Sequence, residues 1–260
     1  MPEGDVVWST ARHLHKALAG RTLTRSDFRV PGLATVDLTG DVVTETVSRG
    51  KHLLTRTGNG LTVHTHLRMD GDWRVRPAAE QIRDSHRIRL LLANEDWQAI
   101  GYRLGVVELI RTSEESRVTG HLGPDLLGPD WDCAEAVRRL SAQPDRPIGE
   151  ALLDQRNLAG IGNVYKAEVL FLRGLGPWQP VSGVADLVAV AGLARRLLEA
   201  NKERHGHVTT GNTRRGEEHW VYGRHGRPCR RCGTPIRKAG QDDRVTFWCA
   251  SCQPGRDADG

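Results

Sequence analysis

The chain changes its pattern at Gly123-Pro124 and Gly128-Pro129, and that change limits the possible folds more than any other feature. Before it, from residue 22 to about 112, short apolar and β-branched runs recur at 42–47, 52–56, 61–65 and 88–92. Turn sequences such as Gly58-Asn59-Gly60 and Asn94-Glu95-Asp96 separate them, so this half reads as an all-β body, a sandwich. One helix precedes it: Val7, Ala11, Leu14 and Leu18 recur at helical spacing and Gly20 stops them. Beyond the change, helical patterns cover about 133–142, 147–155, 163–173 and 184–203, with breaks at Pro144, Gly160, Gly162, Gly174 and Pro177. The expected fold is therefore mixed α and β. An N-terminal β-sandwich with an N-terminal helix occupies 1–125, a helical domain 126–222, and a small module 223–260.

That last module is rich in Gly, Pro, Cys and Arg and lacks the apolar residues for a core, so it needs a staple. Cys229-x2-Cys232 and Cys249-x2-Cys252, sixteen residues apart, have the spacing of a four-thiolate zinc ribbon. Four protein ligands fill a tetrahedral ion and leave no place for water, so one structural Zn2+ is expected. Pro228-Cys229-x2-Cys232 also matches half of a zinc deaminase signature, but none of the eleven histidines has Glu two residues later. The fifth cysteine, Cys133, reads as a small buried apolar residue.

The net charge is +5, and its surplus is gathered at one end. Residues 201–260 hold 12 Lys/Arg against 7 Asp/Glu, which leaves 25 of each in the first 200. A basic end suggests a polyanion, with nucleic acid the commonest, although a merely soluble basic surface has the same count. Between the cysteine pairs, 242–247 reads as a hairpin with Arg244 near its tip, placed either to fork a phosphate or to stay solvated. No apolar run approaches 18 residues and the start, Met1-Pro2-Glu3-Gly4-Asp5, is polar. Neither a membrane span nor a signal peptide is readable, and the expected compartment is the cytoplasm.

Removal of the initiator Met would leave Pro2 as a secondary amine, which attacks an aldehyde-level carbon to form an iminium. An α-amino group titrates below lysine, and a helix N-terminus beside it favours the neutral form. Glu3 stands next to it as a potential acid or base. The same two residues are also ordinary helix-start signals.

Together these segments resemble the formamidopyrimidine-DNA glycosylase and endonuclease VIII family along essentially the whole chain. Pro2-Glu3-Gly4-Asp5 is similar to the endonuclease VIII form of the start motif. Arg49-Gly50-Lys51-His52-Leu53-Leu54 resembles the strand with the family's lysine, and His66-Leu67-Arg68-Met69-Asp70-Gly71 the loop that inserts into DNA. Residues 157–165 resemble its helix-two-turns-helix signature, and Val221-Tyr222-Gly223-Arg224 leads into the zinc finger.

The resemblance implies a bifunctional DNA glycosylase and abasic-site lyase, a monomer acting on damaged duplex or single-stranded DNA held between its domains. In it Pro2 attacks C1′, Glu3 is the acid/base, and Lys51 is a cation near the sugar and phosphate. Met69 fills the gap left by the flipped base, with Arg68, Arg103 and Leu104 as further DNA contacts. Asn163, Gly160 and Gly162 grip phosphate, and Arg244 holds the phosphate of the lesion. Tyr102-Arg103-Leu104-Gly105 departs from the formamidopyrimidine branch, Val6 replaces a common second Glu, and 206–220 is shorter than that branch's capping loop. The start motif and the short loop point to oxidised pyrimidines. The alternatives are a formamidopyrimidine or 8-oxoguanine specificity, and a zinc-ribbon DNA-binding protein without catalysis.

Overall fold

The computed structural model describes residues 2–204 and 206–255. Met1, His205 and 256–260, the last part of the expected third module, lie outside the described residues. The chain forms two compact units, one ending at His121 and the other beginning at Leu122.

The first unit starts with α1 (Gly4–Leu18), whose Val7, Ala11, Leu14 and Leu18 form one buried stripe, as the 3.6-residue period requires. Eight strands follow: β1 (Arg25–Phe28), β2 (Val43–Arg49), β3 (His52–Thr57), β4 (Leu61–His66), β5 (Asp72–Pro77), β6 (Ile88–Ala93), β7 (Trp97–Tyr102) and β8 (Val106–Arg111). They make two antiparallel sheets, ordered β1-β6-β7-β5 and β2-β3-β4-β8. Leu53 of β3 and Val63 of β4 enter the core with α1 and Phe28, Leu90 and Leu92 of the other sheet. Because side chains alternate along a strand, the neighbours His52, His64 and His66 belong to the opposite face. The register sets His52 across from His66 and His64 across from Glu108.

The first unit closes with α2 (Ser116–Thr119); the second contains α3 (Cys133–Ser141), α4 (Ile148–Leu153), α5 (Asn163–Arg173), α6 (Leu187–Asn201) and the hairpin β9 (Arg237–Gln241) and β10 (Arg244–Trp248). Asp132 and Asp186 cap α3 and α6 by accepting backbone N–H bonds from Glu135 and Ala189. Residues 163–171 of α5 are all buried, which marks it as the central helix of the unit rather than an amphipathic surface helix. Tyr165, Val169 and Leu170 pack into the helical core, while Ala167 and Phe171 pack against Val221, Cys229, Ile236 and Cys249. Gly174, at φ 69°, ends α5 in the left-handed conformation that only glycine enters without strain.

Phe171 is fully buried and stacks on Trp220 with ring centroids 5.6 Å apart. Phe171→Ala should destabilise the second unit by about 3–5 kcal/mol. Urea unfolding followed by tryptophan fluorescence measures this, and a change below about 1 kcal/mol would contradict the central place given to α5.

Candidate functional site

In the first unit, Pro2 is half-buried and the Glu3 side chain is fully buried. Glu3 is the N-cap of α1 in extended conformation, yet its carboxylate makes no capping hydrogen bond. Pro2 lies before the cap, not at the first helical position that favours proline. The Glu3 carboxyl, next in sequence to Pro2, is thus held out of solvent without capping the helix.

The other named residues occupy three turns. Lys51 follows Gly50, whose φ of 57° lets β2 reverse into β3. Met69 projects to solvent, 56 % exposed, in the loop after β4. Arg68 holds φ 56° there, and Gly71 donates its amide to the Leu67 carbonyl at 2.9 Å. A Cβ on Gly71 would lie 2.4 Å from that oxygen, so this turn needs glycine. Arg103, at φ 48°, is exposed between β7 and β8. Leu104, expected among the DNA contacts, is instead 3 % exposed and packed in the core. Its Cδ1 occupies the space above Gly101, 2.5 Å from where a Cβ would be, so this leucine anchors the loop.

Sequence reasoning missed a histidine cluster beside these turns. The His64 Nδ1 is 2.9 Å from Glu108 Oε2, and its Nε2 is 2.9 Å from His52 Nδ1. His66 Nδ1 accepts the Arg68 amide at 2.9 Å, and the His66 carbonyl accepts the Gly105 amide at 3.0 Å. Burial, with His66, His64, His121 and Arg68 nearby, pushes His52 down to about 3. Burial, with Arg68, Lys51 and His64, pushes His66 down to about 4. The i, i+2 spacing of His64 and His66 was the available signal; their pairing with His52 required the strand register.

In the second unit, α5 and the hairpin share a polar seam. Asn163 Nδ2 donates to the Val245 carbonyl at 2.8 Å, and Lys166 Nζ donates to Thr246 Oγ1 at 2.6 Å. Both contacts fall directly after Arg244, which lies at the tip where β9 and β10 meet, beside Asp243 at 3.2 Å. The buried Glu168 carboxylate accepts the amides of Trp220, Val221 and Tyr222 and the Thr209 hydroxyl. It fixes the segment that leads into the cysteine pairs. Gly160, expected to offer its amide to phosphate, donates it to Gln155 Oε1 at 3.0 Å, so in this conformation that donor is taken. Gly162 is the N-cap of α5, ahead of Asn163.

The four expected cysteines converge, with all Sγ atoms within 4.8 Å of one another. The Cys229–Cys252 and Cys232–Cys249 sulfurs are 4.0 and 3.4 Å apart. Tetrahedral zinc with bonds of about 2.3 Å requires sulfurs roughly 3.8 Å apart, so the residues fit the ion. Burial and the neighbouring sulfurs push Cys252 up to about 12, a resistance to ionisation that a cation removes.

The first 102 residues match the formamidopyrimidine-DNA glycosylase N-terminal domain, and 122–203 match the H2TH domain of the same enzymes. Residues 226–255 match the zinc finger found in FPG and IleRS. The chain is 58 % identical to the probable endonuclease 8 2 of Streptomyces coelicolor, covering 98 % of this chain and 95 % of that one. It is 49 % identical to the DNA-(apurinic or apyrimidinic site) lyase Nei2 of Mycolicibacterium smegmatis, over 97 % and 99 %. This chain belongs to the formamidopyrimidine-DNA glycosylase and endonuclease VIII family. Among solved structures, the Lactococcus lactis family enzyme bound to abasic-site DNA superposes with a TM-score of 0.82 at 25 % identity, over 97 % of this chain and all of the other. The two sheets behind α1, the α4–turns–α5 unit and the hairpin finger with one structural zinc are the family's architecture. No helix among the described residues is long and apolar enough to cross a membrane.

Two outcomes follow from this geometry. An unfolded chain protonates His52 and His66 near pH 6.5, whereas the folded unit does so only near 3 and 4. The unfolded state thus binds more protons below about pH 6.5, and stability, fully present above that pH, falls as pH falls toward 4. The urea midpoint of the first unit should drop already between pH 6.5 and 5, before carboxylates titrate, and drop less in His52→Leu. A flat midpoint over that interval would contradict the neutral cluster. In the second unit, Cys249→Ser should release zinc and the hairpin, because the module lacks the apolar area to fold alone. DNA binding should fall while circular dichroism of the helices persists; unchanged binding by zinc-free protein would refute the finger's role.

Proposed function

We propose that this family member is a bifunctional DNA glycosylase and abasic-site lyase of base excision repair, with the Pro2 nitrogen as nucleophile. The observation that carries the reading is a fully buried carboxyl, next in sequence to Pro2, that does not cap its helix. The amine adds to C1′ and gives up its proton as the bond to the damaged base breaks and the base leaves protonated; the C1′–O4′ bond then opens to the iminium, with O4′ taking a proton from Glu3. Loss of a C2′ proton then expels the 3′ phosphate, loss of a C4′ proton expels the 5′ phosphate, and water releases the sugar fragment from Pro2. The two eliminations leave a nick bounded by phosphates.

Lys51 and Arg244 serve as cations toward the phosphates, Asn163 as a phosphate contact, and exposed Met69 as the wedge that fills the flipped base's place. Arg68 and Arg103 are the further DNA contacts from the first unit. The protein acts as a monomer on DNA, duplex or single-stranded, where the genome is. Oxidised pyrimidines are the proposed substrates, supported by Pro2-Glu3-Gly4-Asp5 and by relatives named endonuclease 8. A second reading, excision of 8-oxoguanine, draws on a MutM structure in complex with carbocyclic 8-oxo-G DNA, similar at 26 % identity and a TM-score of 0.83. A panel of duplexes carrying single lesions separates the two.

Protein that retains Met1 has an amide in place of the amine, and should bind DNA yet neither excise bases nor form a borohydride-stable adduct. Full trapping by N-terminally blocked protein would transfer the nucleophile's role to another amine, Lys51 first. Arg244→Ala should weaken DNA binding and lower its salt slope by about one, since one phosphate contact fewer releases fewer counterions. An unaltered slope would count against that contact.

A further inference from the structure

We propose that Glu108, acting through His64 and His52, positions His66 so that the loop carrying Met69 is set before DNA arrives. The proposal rests on reading that loop as the one that enters DNA.

With one hydrogen on each ring, the hydrogen bonds leave one consistent arrangement of protons. A carboxylate only accepts, so His64 Nδ1, 2.9 Å from Glu108 Oε2, carries the hydrogen. A neutral imidazole has one N–H, so His64 Nε2 is bare and accepts from His52 Nδ1 at 2.9 Å. His66 Nδ1 receives the Arg68 amide and must itself be bare, so its hydrogen is on Nε2. His52 links the two ends of the array: it stacks on His64 with centroids 5.1 Å apart and meets His66 edge-on at the same distance. His121 closes a further side, 6.1 Å from His52. The cations facing the group are Lys51 and Arg68; burial and the neighbouring imidazoles, with Arg68, keep His52 neutral at physiological pH, and burial with Arg68 and Lys51 does the same for His66.

His66 is a junction for three turns. Lys51 precedes its cross-strand partner His52, its Nδ1 holds Arg68, and its carbonyl holds Gly105 after the Arg103 turn. Arg68 has a left-handed φ of 56°, which a non-glycine residue keeps only when its surroundings enforce it. Part of that enforcement is the space above Gly105, where a Cβ would lie 2.1 Å from Arg68 Cγ. The rest is the His66 bond. If His66 carried its hydrogen on Nδ1, two donors would face each other and the Arg68 turn would lose its hold. Glu108, with its half-exposed side chain, is the acceptor that orients the protons of His64 and His52, and the edge of the His52 ring in turn seats His66.

The experiment has two arms. Long-range proton–nitrogen spectra of DNA-free protein labelled with 15N-histidine, at pH 7, should show His52 and His64 protonated at Nδ1 and His66 at Nε2. In Glu108→Leu the assignments of His64 and His52 should mix. In stopped-flow experiments with 2-aminopurine beside the lesion, the insertion phase should slow roughly tenfold, the equivalent of one neutral hydrogen bond. Glu108→Gln keeps an acceptor oxygen and should recover most of that rate, a rescue that a packing role would not need. Nε2 protonation at His52 or His64 would overturn the proposal. So would a parental insertion rate in Glu108→Leu where Met69→Ala is slowed. An unchanged signal in Met69→Ala would instead overturn the wedge reading, and with it the role given to Glu108, whatever the tautomers.

Discussion

The second unit depends on a small module that cannot fold by burying apolar surface. Its hairpin contributes Ile236, Trp248 and two sulfurs to the buried interior, and little else. Two constraints replace the missing core. Zinc ties the two ends of the hairpin region together, and α5 supplies hydrogen-bond partners from its buried side. Lys166 and Glu168 are completely buried, an expensive placement for charged groups unless each is satisfied. Glu168 meets three backbone amides and a hydroxyl, and Lys166 reaches Thr246. Such contacts have fixed directions, whereas apolar packing tolerates sliding. Arg244 therefore inherits its position from a metal and a ladder of hydrogen bonds, the rigidity that the proposed contact with one phosphate needs.

The same economy operates in the first unit by other means. There the apolar core is ample, and α1 lies against both sheets through one stripe of residues. The candidate site residues lie where the backbone leaves regular structure: at the first residues, at Gly50-Lys51, and in the turns of Arg68 and Arg103. Two of these turns hold non-glycine residues at positive φ. Strain of this kind is retained only where neighbouring bonds enforce it, and the histidine cluster is among the bonds that do.

What was legible in the sequence follows from how local each signal is. Helix α1, α5 and the cysteine pairs carry their evidence within a few residues, through period, caps and spacing. Of the eight strands, β2, β3, β4 and β6 stood out as apolar runs. Of the other four, β5 and β1 were obscured by charge: β5 alternates Trp73 and Val75 with Arg74 and Arg76, and β1 carries Arg25 and Asp27. Pro2, Lys51, Met69 and Asn163 could be named as candidates because motifs are linear. Leu104 could not be assigned correctly, because its burial depends on the missing Cβ of Gly101 three residues earlier and on packing against the rest of the core.

The residues that went unread share one property: their meaning is set by partners far along the chain. His64 is 44 residues from Glu108, and Glu168 is 52 to 54 residues from the amides it accepts. Motif reasoning finds groups that touch a ligand, since those recur in fixed local order. It passes over groups that hold them, since a positioning residue needs only a suitable atom at the right distance, from whatever element the fold brings near. Here those holding groups are neutral imidazoles on one unit and a carboxylate with an ammonium on the other. Each keeps a cation-bearing turn in place without adding net charge of its own at the surface that would meet DNA. Preorganisation and attraction are thereby assigned to different residues, and a change to either can be measured apart from the other.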